Sequence, residues 1–172
     1  MGSNCTIVYA SVHHGNTRVV AEVMAEEIGA SAIEVGPEAL DSVDGVGLVG
    51  LGSGAFFGSH HKSLLSFARQ LPSDRHVNAF IFSTSGTGRR LAKLFGRDYH
   101  KKLRQILQDK NIPVLGEFDC KGFDTYGIWG RFGGVAKGHP KEKELQDARV
   151  FARDIYRQHK SAESSPQSRR HP

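Results

Sequence analysis

The chain has 172 residues, of which 38% are hydrophobic, and a net charge of +5, values that suit one domain with one sizeable core. No apolar run approaches the roughly 18 to 20 residues that span a bilayer, and no basic and apolar secretory signal opens the sequence. The two cysteines, Cys5 and Cys120, are too few for a disulfide framework or a four-cysteine zinc site. We therefore expect a cytoplasmic protein without a membrane segment.

Five apolar runs predict the strands of one sheet. Four of them are continuous and are followed by glycine, serine or threonine, which is typical of strands covered on both faces in a parallel sheet. These four runs cover residues 6–10, 46–51, 77–82 and 114–118, and a shorter run at 32–35 suits an edge strand.

Helical patterns alternate with these strands. Val20, Met24 and Ile28 recur every four residues and predict an amphipathic helix over 17–28. Further helices are predicted over 60–71, over much of 91–109, and from Pro140 onward. The alternation predicts a doubly wound α/β domain over residues 1–160, and the composition of residues 161–172 predicts a disordered basic tail.

The loop after the first strand has the composition of a phosphate site. It runs over residues 11–17 and leads straight into the first predicted helix. A phosphate there would meet unpaired backbone N–H groups, the positive end of the helix dipole and two hydroxyls. The loop contains neither a dinucleotide fingerprint nor a Walker motif, so a phosphomonoester is favoured. The alternative is that its serine, asparagine and threonine simply cap the helix.

Several segments in the same order resemble the flavodoxin family, in particular a microbial branch with a Ser-x-His-His-Gly-Asn-Thr phosphate loop. The matching segments are residues 11–17, 52–64, 83–88, 122–127 and 133–140. The resemblance implies a flavodoxin-like five-stranded parallel sheet in the order 2-1-3-4-5, with helices on both faces. It also implies a bound flavin mononucleotide (FMN) at the carboxyl ends of the strands.

The resemblance assigns cofactor contacts to three loops and to one tyrosine. The phosphate loop comprises Ser11, Val12, His13, His14, Gly15, Asn16 and Thr17. The second loop, beside the flavin ring, comprises Ser53, Gly54, Ala55, Phe56, Phe57 and Gly58. The third loop, at the pyrimidine edge and ribityl chain, comprises Thr84, Ser85, Gly86, Thr87 and Gly88. Because the third loop lacks the tyrosine that stacks on the flavin in well-known flavodoxins, the second face of the ring is either open or covered from another loop, with Tyr126 or Trp129 as the candidate.

Each of these assignments has an ordinary structural alternative. The two histidines of the first loop are also explained as exposed residues, and a metal site is disfavoured because adjacent side chains point apart. Phe56 and Phe57 are also explained as core residues, and Tyr126 as loop packing. Unlike well-known flavodoxins, the third loop contains no tyrosine and no acidic residue, which predicts easier full reduction of the flavin.

The resemblance implies an electron carrier that works between redox partners and has no catalytic residues of its own. The alternative on the same fold is an FMN-dependent NAD(P)H oxidoreductase that reduces a quinone or similar acceptor. Residues 89–110 carry eight basic and two acidic side chains, a net +6. We expect this segment to face a redox partner with an acidic surface, because it contains no motif that reads nucleic acid.

Overall fold

The computed structural model describes most of the chain, and the account below concerns those residues alone. They are residues 4–12, 15–56, 58–73, 76–85, 98–121 and 140–164. None of the helices in this part of the chain is long and apolar enough to cross a lipid bilayer.

Strands and helices alternate along the described chain. The strands are β1 (Cys5–Ala10), β2 (Ser31–Glu34), β3 (Leu48–Phe56), β4 (Ser59–His60), β5 (Asn78–Ser85) and β6 (Val114–Lys121). The α-helices are α1 (Asn16–Ile28), α2 (Lys62–Gln70), α3 (Lys101–Asp109) and α4 (Glu142–Ser164), and two 3₁₀ turns lie at Pro37–Ala39 and Asp41–Val43.

The five long strands form a parallel sheet in the order β2-β1-β3-β5-β6. Counted without the two-residue strand β4, this is the predicted order 2-1-3-4-5, so the flavodoxin-like fold class is confirmed. The sequence analysis did not predict β4, which pairs antiparallel with the end of β3. His60, the second residue of β4, was assigned to the second helix, which begins only at Lys62.

The sheet is covered on both faces, and each face has its own apolar core. On one face, α2 and α3 bury Leu64, Phe67, Leu103 and Leu107 against β3 and β5. On the other face, residues of α1 and α4 pack against the same strands. Continuous apolar strands therefore reflect burial on both sides, as parallel sheets require.

Helix α4 continues through Ser164 and so passes the predicted domain boundary at residue 160. His159, near its end, is buried and contacts Asn78, at the start of β5, through a 3.2 Å hydrogen bond. The last turns of the helix are thereby attached to the domain. Residues 165–172, the rest of the predicted tail, lie outside the described residues.

Two glycines of β3 provide the space for two phenylalanine rings of β5. Gly50 lies opposite Phe80 and Gly52 lies opposite Phe82 in the parallel register. Both rings are fully buried, and a Cβ atom built on either glycine would overlap the facing ring. The close approach of ring and backbone is possible only because glycine has no side chain.

We expect Gly52→Ala to destabilise the protein by about 1 to 3 kcal/mol, because the buried Phe82 ring must shift in a packed core. Urea unfolding followed by circular dichroism measures this free energy. Gly36→Ala is the matched control, since its backbone is extended and its new Cβ meets only ordinary contacts. Equal stability of the two variants would contradict this account of the Gly52 and Phe82 pair.

Candidate functional site

The loops predicted to hold a cofactor begin in one row at the carboxyl ends of three neighbouring strands. In the sheet register, Ala10 of β1 lies opposite Ser53 of β3, and Ser53 lies opposite Ser83 of β5. Parallel pairing aligns the three strand ends. The chain segments that follow therefore leave the sheet side by side, at the edge where open α/β sheets bind their ligands.

The first loop leaves a buried hydroxyl without a partner. The Oγ atom of Ser11 is buried and has no hydrogen-bond partner among the described residues. The N-cap of α1 is Gly15, in the left-handed conformation with φ of 68°, which glycine adopts without strain. The Thr17 hydroxyl, another candidate cap, bonds Thr84 instead. Among the described residues, neither the Ser11 hydroxyl nor the Thr17 hydroxyl caps the helix.

A direct hydrogen bond joins the first and third loops. The hydroxyl oxygens of Thr17, in the first turn of α1, and Thr84, near the end of β5, are 2.9 Å apart. Both side chains are buried, Thr17 with 3% and Thr84 with 5% of its surface exposed. Each would lose its partner if the loops separated, so the bond fixes their spacing.

The second loop is a tight turn that folds back on β3. Ala55 pairs with His60 and Phe56 with Ser59 across this turn, and Gly58 within it has φ of 84°. The Ser53 hydroxyl is fully buried. It donates to the Gly54 carbonyl, accepts the His61 backbone N–H and contacts His60 Nδ1 at 2.8 Å. Ser53 is a predicted cofactor contact, and its hydroxyl here stabilises the turn.

A buried polar cluster lies under the second and third loops, on the face covered by α2 and α3. The rings of His60 and His100 stack with centroids 5.1 Å apart, and both side chains are buried. His100 Nε2 lies 2.8 Å from Ser83 Oγ, which donates to Asp119 Oδ1 over 2.7 Å. The ring stack thus connects the second loop to the end of β5.

The cluster continues into a chain of charged groups. His100 Nδ1 lies 3.2 Å from Glu117 Oε2, and Arg104 Nε donates to Glu117 Oε1 over 2.6 Å. A second nitrogen of Arg104 donates to Asp98 over 3.1 Å. The carboxylates of Glu117 and Asp98 raise the pKa of Arg104 above its already high ordinary value. Arg104 therefore belongs to an internal ion-pair network.

The sequence analysis did not predict this polar cluster, although a signal for it exists. Ser83 and Ser85 alternate with other residues along β5, and Glu117 and Asp119 do the same along β6. Alternation with period two places such side chains on one face of a sheet. Polar residues on one face near the ends of two adjacent strands indicate a buried network there. The partner histidines come from distant parts of the chain.

The structure brings together part of the predicted cofactor set. Ser11, Gly15, Thr17, Ser53, Thr84 and Ser85 lie at the carboxyl edge of the sheet or at the start of α1. Val12, half exposed, is in the same loop as Ser11, and Asn16 begins α1. Gly54, Ala55, Phe56 and Gly58 form the second loop. Seven predicted contacts lie outside the described residues: His13, His14, Phe57, Gly86, Thr87, Gly88 and Tyr126.

Both cysteines are packed within the domain. Cys5 opens β1, and burial raises the pKa of its thiol to about 12. Cys120, near the end of β6, is also buried, and burial and the nearby Asp119 raise the pKa of its thiol. Neither thiol has the lowered pKa of a reactive cysteine. In the described part of the chain, no group of three or more His, Cys, Asp or Glu side chains is arranged to hold a metal ion.

A family model described as a flavodoxin domain matches residues 6–121, which include the whole row of strand ends described above. The chain belongs to the flavodoxin family. A relative with 40% identity over 149 residues is an uncharacterized protein of Methanocaldococcus jannaschii. That match covers 87% of this flavodoxin-family chain and 95% of the relative.

Solved structures with the same fold share little sequence with this flavodoxin-family chain. Flavodoxin 2 from Bacillus cereus has a TM-score of 0.65 at 13% identity, with 90% of this chain and 98% of that one covered. A WrbA-like flavodoxin from Agrobacterium tumefaciens has a TM-score of 0.64 at 16% identity, with 92% and 99% covered. Rubredoxin:oxygen oxidoreductase from Desulfovibrio gigas has a TM-score of 0.66 at 14% identity. The match covers 95% of this chain but only 38% of that longer protein.

Burial of His60 makes the stability of the domain depend on pH. Burial, and secondarily the neighbouring His100, lower the pKa of His60 from 6.5 to about 3. Between these values the unfolded chain binds a proton that the folded chain does not. Stability therefore falls as pH drops below about 6.5, by up to about 1.4 kcal/mol per pH unit from this group.

We expect His60→Gln to lose less stability than the wild type between pH 7 and pH 5, as measured by urea unfolding at each pH. His76→Gln, which replaces an exposed histidine, serves as the control. If His60→Gln shows the same loss as the wild type, the buried neutral state of His60 is contradicted.

Proposed function

We propose that the chain binds FMN at the carboxyl edge of the sheet and carries electrons between redox partners. The observation that carries this proposal is the buried, unpartnered Ser11 hydroxyl in the first loop. A buried hydroxyl without a hydrogen bond costs roughly 1 to 3 kcal/mol. A phosphate oxygen at this position would supply the missing acceptor, so the residues present fit the group.

The first loop would hold the phosphate. Gly15 turns the chain into α1, and the N–H groups of the first helical turn cannot bond within the helix. They and the positive end of the helix dipole favour a doubly charged phosphate. Thr17 is bonded to Thr84, so its hydroxyl oxygen keeps a fixed position. The first loop is thus held to the third loop before any ligand arrives.

The second and third loops would enclose the flavin ring. The Ser53 hydroxyl already bonds Gly54, His60 and His61. The second loop would therefore contact the cofactor through its backbone and, as the family resemblance implies, through Phe56 and Phe57. Thr84 and Ser85 begin the third loop and would place its backbone at the ring edge. Bound FMN supplies transfer of one or two electrons. The protein holds and shields the cofactor.

The proposed redox partner has an acidic surface. Helix α3 follows β5 and runs back along the sheet, so its first residues lie at the same edge as the candidate site. Lys101 and Lys102 are exposed in that first turn. Of the described basic residues in the segment 89–110, Arg104 is bonded to Glu117 and Asp98 and is less available to a partner.

We expect wild-type protein to quench FMN fluorescence on binding, and Ser11→Ala to weaken FMN affinity about tenfold, in line with one lost charge-assisted hydrogen bond. Riboflavin, which lacks the phosphate, separates the phosphate contact from the ring contacts. Riboflavin should bind more weakly than FMN, and its affinity should be the same in the wild type and in Ser11→Ala. Ser42→Ala is the control. The Ser42 hydroxyl lies in the second 3₁₀ turn and donates to the Ala39 carbonyl in the first, outside the candidate site.

The absence of FMN binding by the wild type would overturn the proposed function. An equal loss of riboflavin and FMN affinity in Ser11→Ala would show that the variant disturbs the ring site. That result would contradict the placement of the phosphate beside Ser11.

The carrier and the stand-alone enzyme differ in their response to NAD(P)H. We expect FMN-loaded protein to catalyse no steady NAD(P)H oxidation, and to accept electrons from a dithionite-reduced ferredoxin with an acidic surface. The rate should fall with added salt and in Lys101→Glu/Lys102→Glu, because both weaken attraction between the proteins. Arg157→Glu/Lys160→Glu changes the charge equally near the end of α4 and should have little effect. Steady NAD(P)H oxidation with a quinone acceptor would establish the enzyme.

A further inference from the structure

The surroundings of the His100 ring determine how many protons it carries. The side chain is fully buried, and both ring nitrogens face an oxygen atom. Nε2 lies 2.8 Å from Ser83 Oγ, and Nδ1 lies 3.2 Å from Glu117 Oε2. A neutral imidazole has one donor and one acceptor nitrogen, so it fits this site only if one facing oxygen carries a hydrogen directed at the ring.

Ser83 does not supply that hydrogen. Its hydroxyl lies 2.7 Å from Asp119 Oδ1, and an ionised carboxylate can only accept. The single hydroxyl hydrogen of Ser83 is therefore used toward Asp119. Ser83 Oγ must then accept from His100 Nε2, which carries a hydrogen.

Glu117 does not supply the hydrogen either. Its Oε1 atom accepts from Arg104 Nε over 2.6 Å, and Arg104 also bonds Asp98. A guanidinium at this distance stabilises the ionised carboxylate. With Glu117 ionised, the 3.2 Å contact at Oε2 requires a hydrogen on His100 Nδ1 as well. Both ring nitrogens then carry a hydrogen.

We propose that His100 is an imidazolium at neutral pH and acts as a buried positive charge beneath the candidate cofactor site, favouring reduced FMN over oxidised FMN. This inference rests on the proposed function for its role, but its protonation state does not. Among the described residues, the charged groups around the ring are Glu117 and Asp119 of β6, Arg104 of α3, and Asp98 just before α3. His60 of β4 stacks on the ring.

His60 is a suitable neutral neighbour for this cation. Burial first, and then the positive charge of His100, lower the pKa of His60, so only one ring of the stacked pair carries charge at neutral pH. Because the His60 ring is neutral, it stacks on the His100 imidazolium without the repulsion that two cations would have. His60 also bonds Ser53, so the pair connects the cation to the second loop.

The position of His100 makes its charge relevant to a cofactor at the sheet edge. Ser83, which accepts from His100, directly precedes Thr84, and Thr84 bonds Thr17 in the phosphate loop. Fully reduced flavin carries an additional negative charge on its ring system, so a nearby cation favours it. At about 10 Å and an effective dielectric constant of about 20, one buried charge changes the relative affinity on the order of tenfold.

The protonation state is tested on the full chain without cofactor. We expect ¹⁵N-histidine NMR at pH 7 to show a signal from a histidine with both nitrogens protonated that is missing in His100→Gln. A neutral tautomer for His100 in the wild type would overturn the inference, whatever the chain does with FMN.

The role is tested by the affinities for oxidised FMN and for dithionite-reduced FMN. His100→Gln should bind oxidised FMN within a few-fold of the wild type and should lower the preference for reduced FMN about tenfold. His159→Gln is the matched control, since it removes an equally buried histidine near the end of α4 and should leave the preference unchanged. An unchanged preference in His100→Gln would overturn the role.

If His100→Gln fails to fold, Glu117→Gln identifies the His100 signal in the ¹⁵N spectrum, because it replaces the group that faces Nδ1. A wild-type signal at that position with only one protonated nitrogen would refute the inference. If wild-type protein binds neither form of FMN, the proposed function and the role both fall, while the NMR spectrum still decides the protonation state.

Discussion

The parallel pairing of β3 with β1 on one side and β5 on the other is the constraint on which the rest of the structure depends. It places Ala10, Ser53 and Ser83 in one row, so that three loops leave the sheet at one edge. A slip of one residue would exchange the two faces of a strand. Gly52 would then no longer lie opposite Phe82, nor Ser53 opposite Ser83, and neither the ring packing of Phe82 nor the polar cluster would form.

The two faces of the sheet use these strands differently. On the face of α1 and α4, the apolar packing continues along β5 through Phe80 and Phe82, over the glycines of β3. On the face of α2 and α3, apolar packing ends after Leu51 and Ile81, and the polar side chains of Ser53 and Ser83 follow. A buried polar cluster must satisfy its own hydrogen bonds. Ser53, Ser83, His100 and the carboxylates meet that requirement through one another, whereas His60 Nε2 has no partner among the described residues. The cluster places charge close to the candidate cofactor site.

The fold shows that some basic residues of the segment 89–110 are bonded inside the protein. The segment 89–110 has a net charge of +6 in the sequence, yet Arg104 points into an ion-pair network with Glu117, which belongs to β6. Lys110 donates to the Leu71 carbonyl at the end of α2. Lys101 and Lys102, at the start of α3, are exposed, and they are the described groups on which the proposal of an acidic partner rests. The net charge of the segment is therefore larger than the charge that its exposed side chains present to solvent or to a partner.

The sequence by itself determined the doubly wound α/β class, because apolar periodicity and glycine-rich loops are local signals. The strand order and the family came from the resemblance of its motifs to the flavodoxin family. It placed Ser11, Gly15 and Thr17 in one loop, and Thr84 in another. Only the tertiary structure decided that Thr17 bonds Thr84, that the Ser53 hydroxyl is used within its own turn, and that His60 stacks on His100. These contacts join residues from separate elements, and their partners are chosen by strand register and helix packing, which no local pattern encodes.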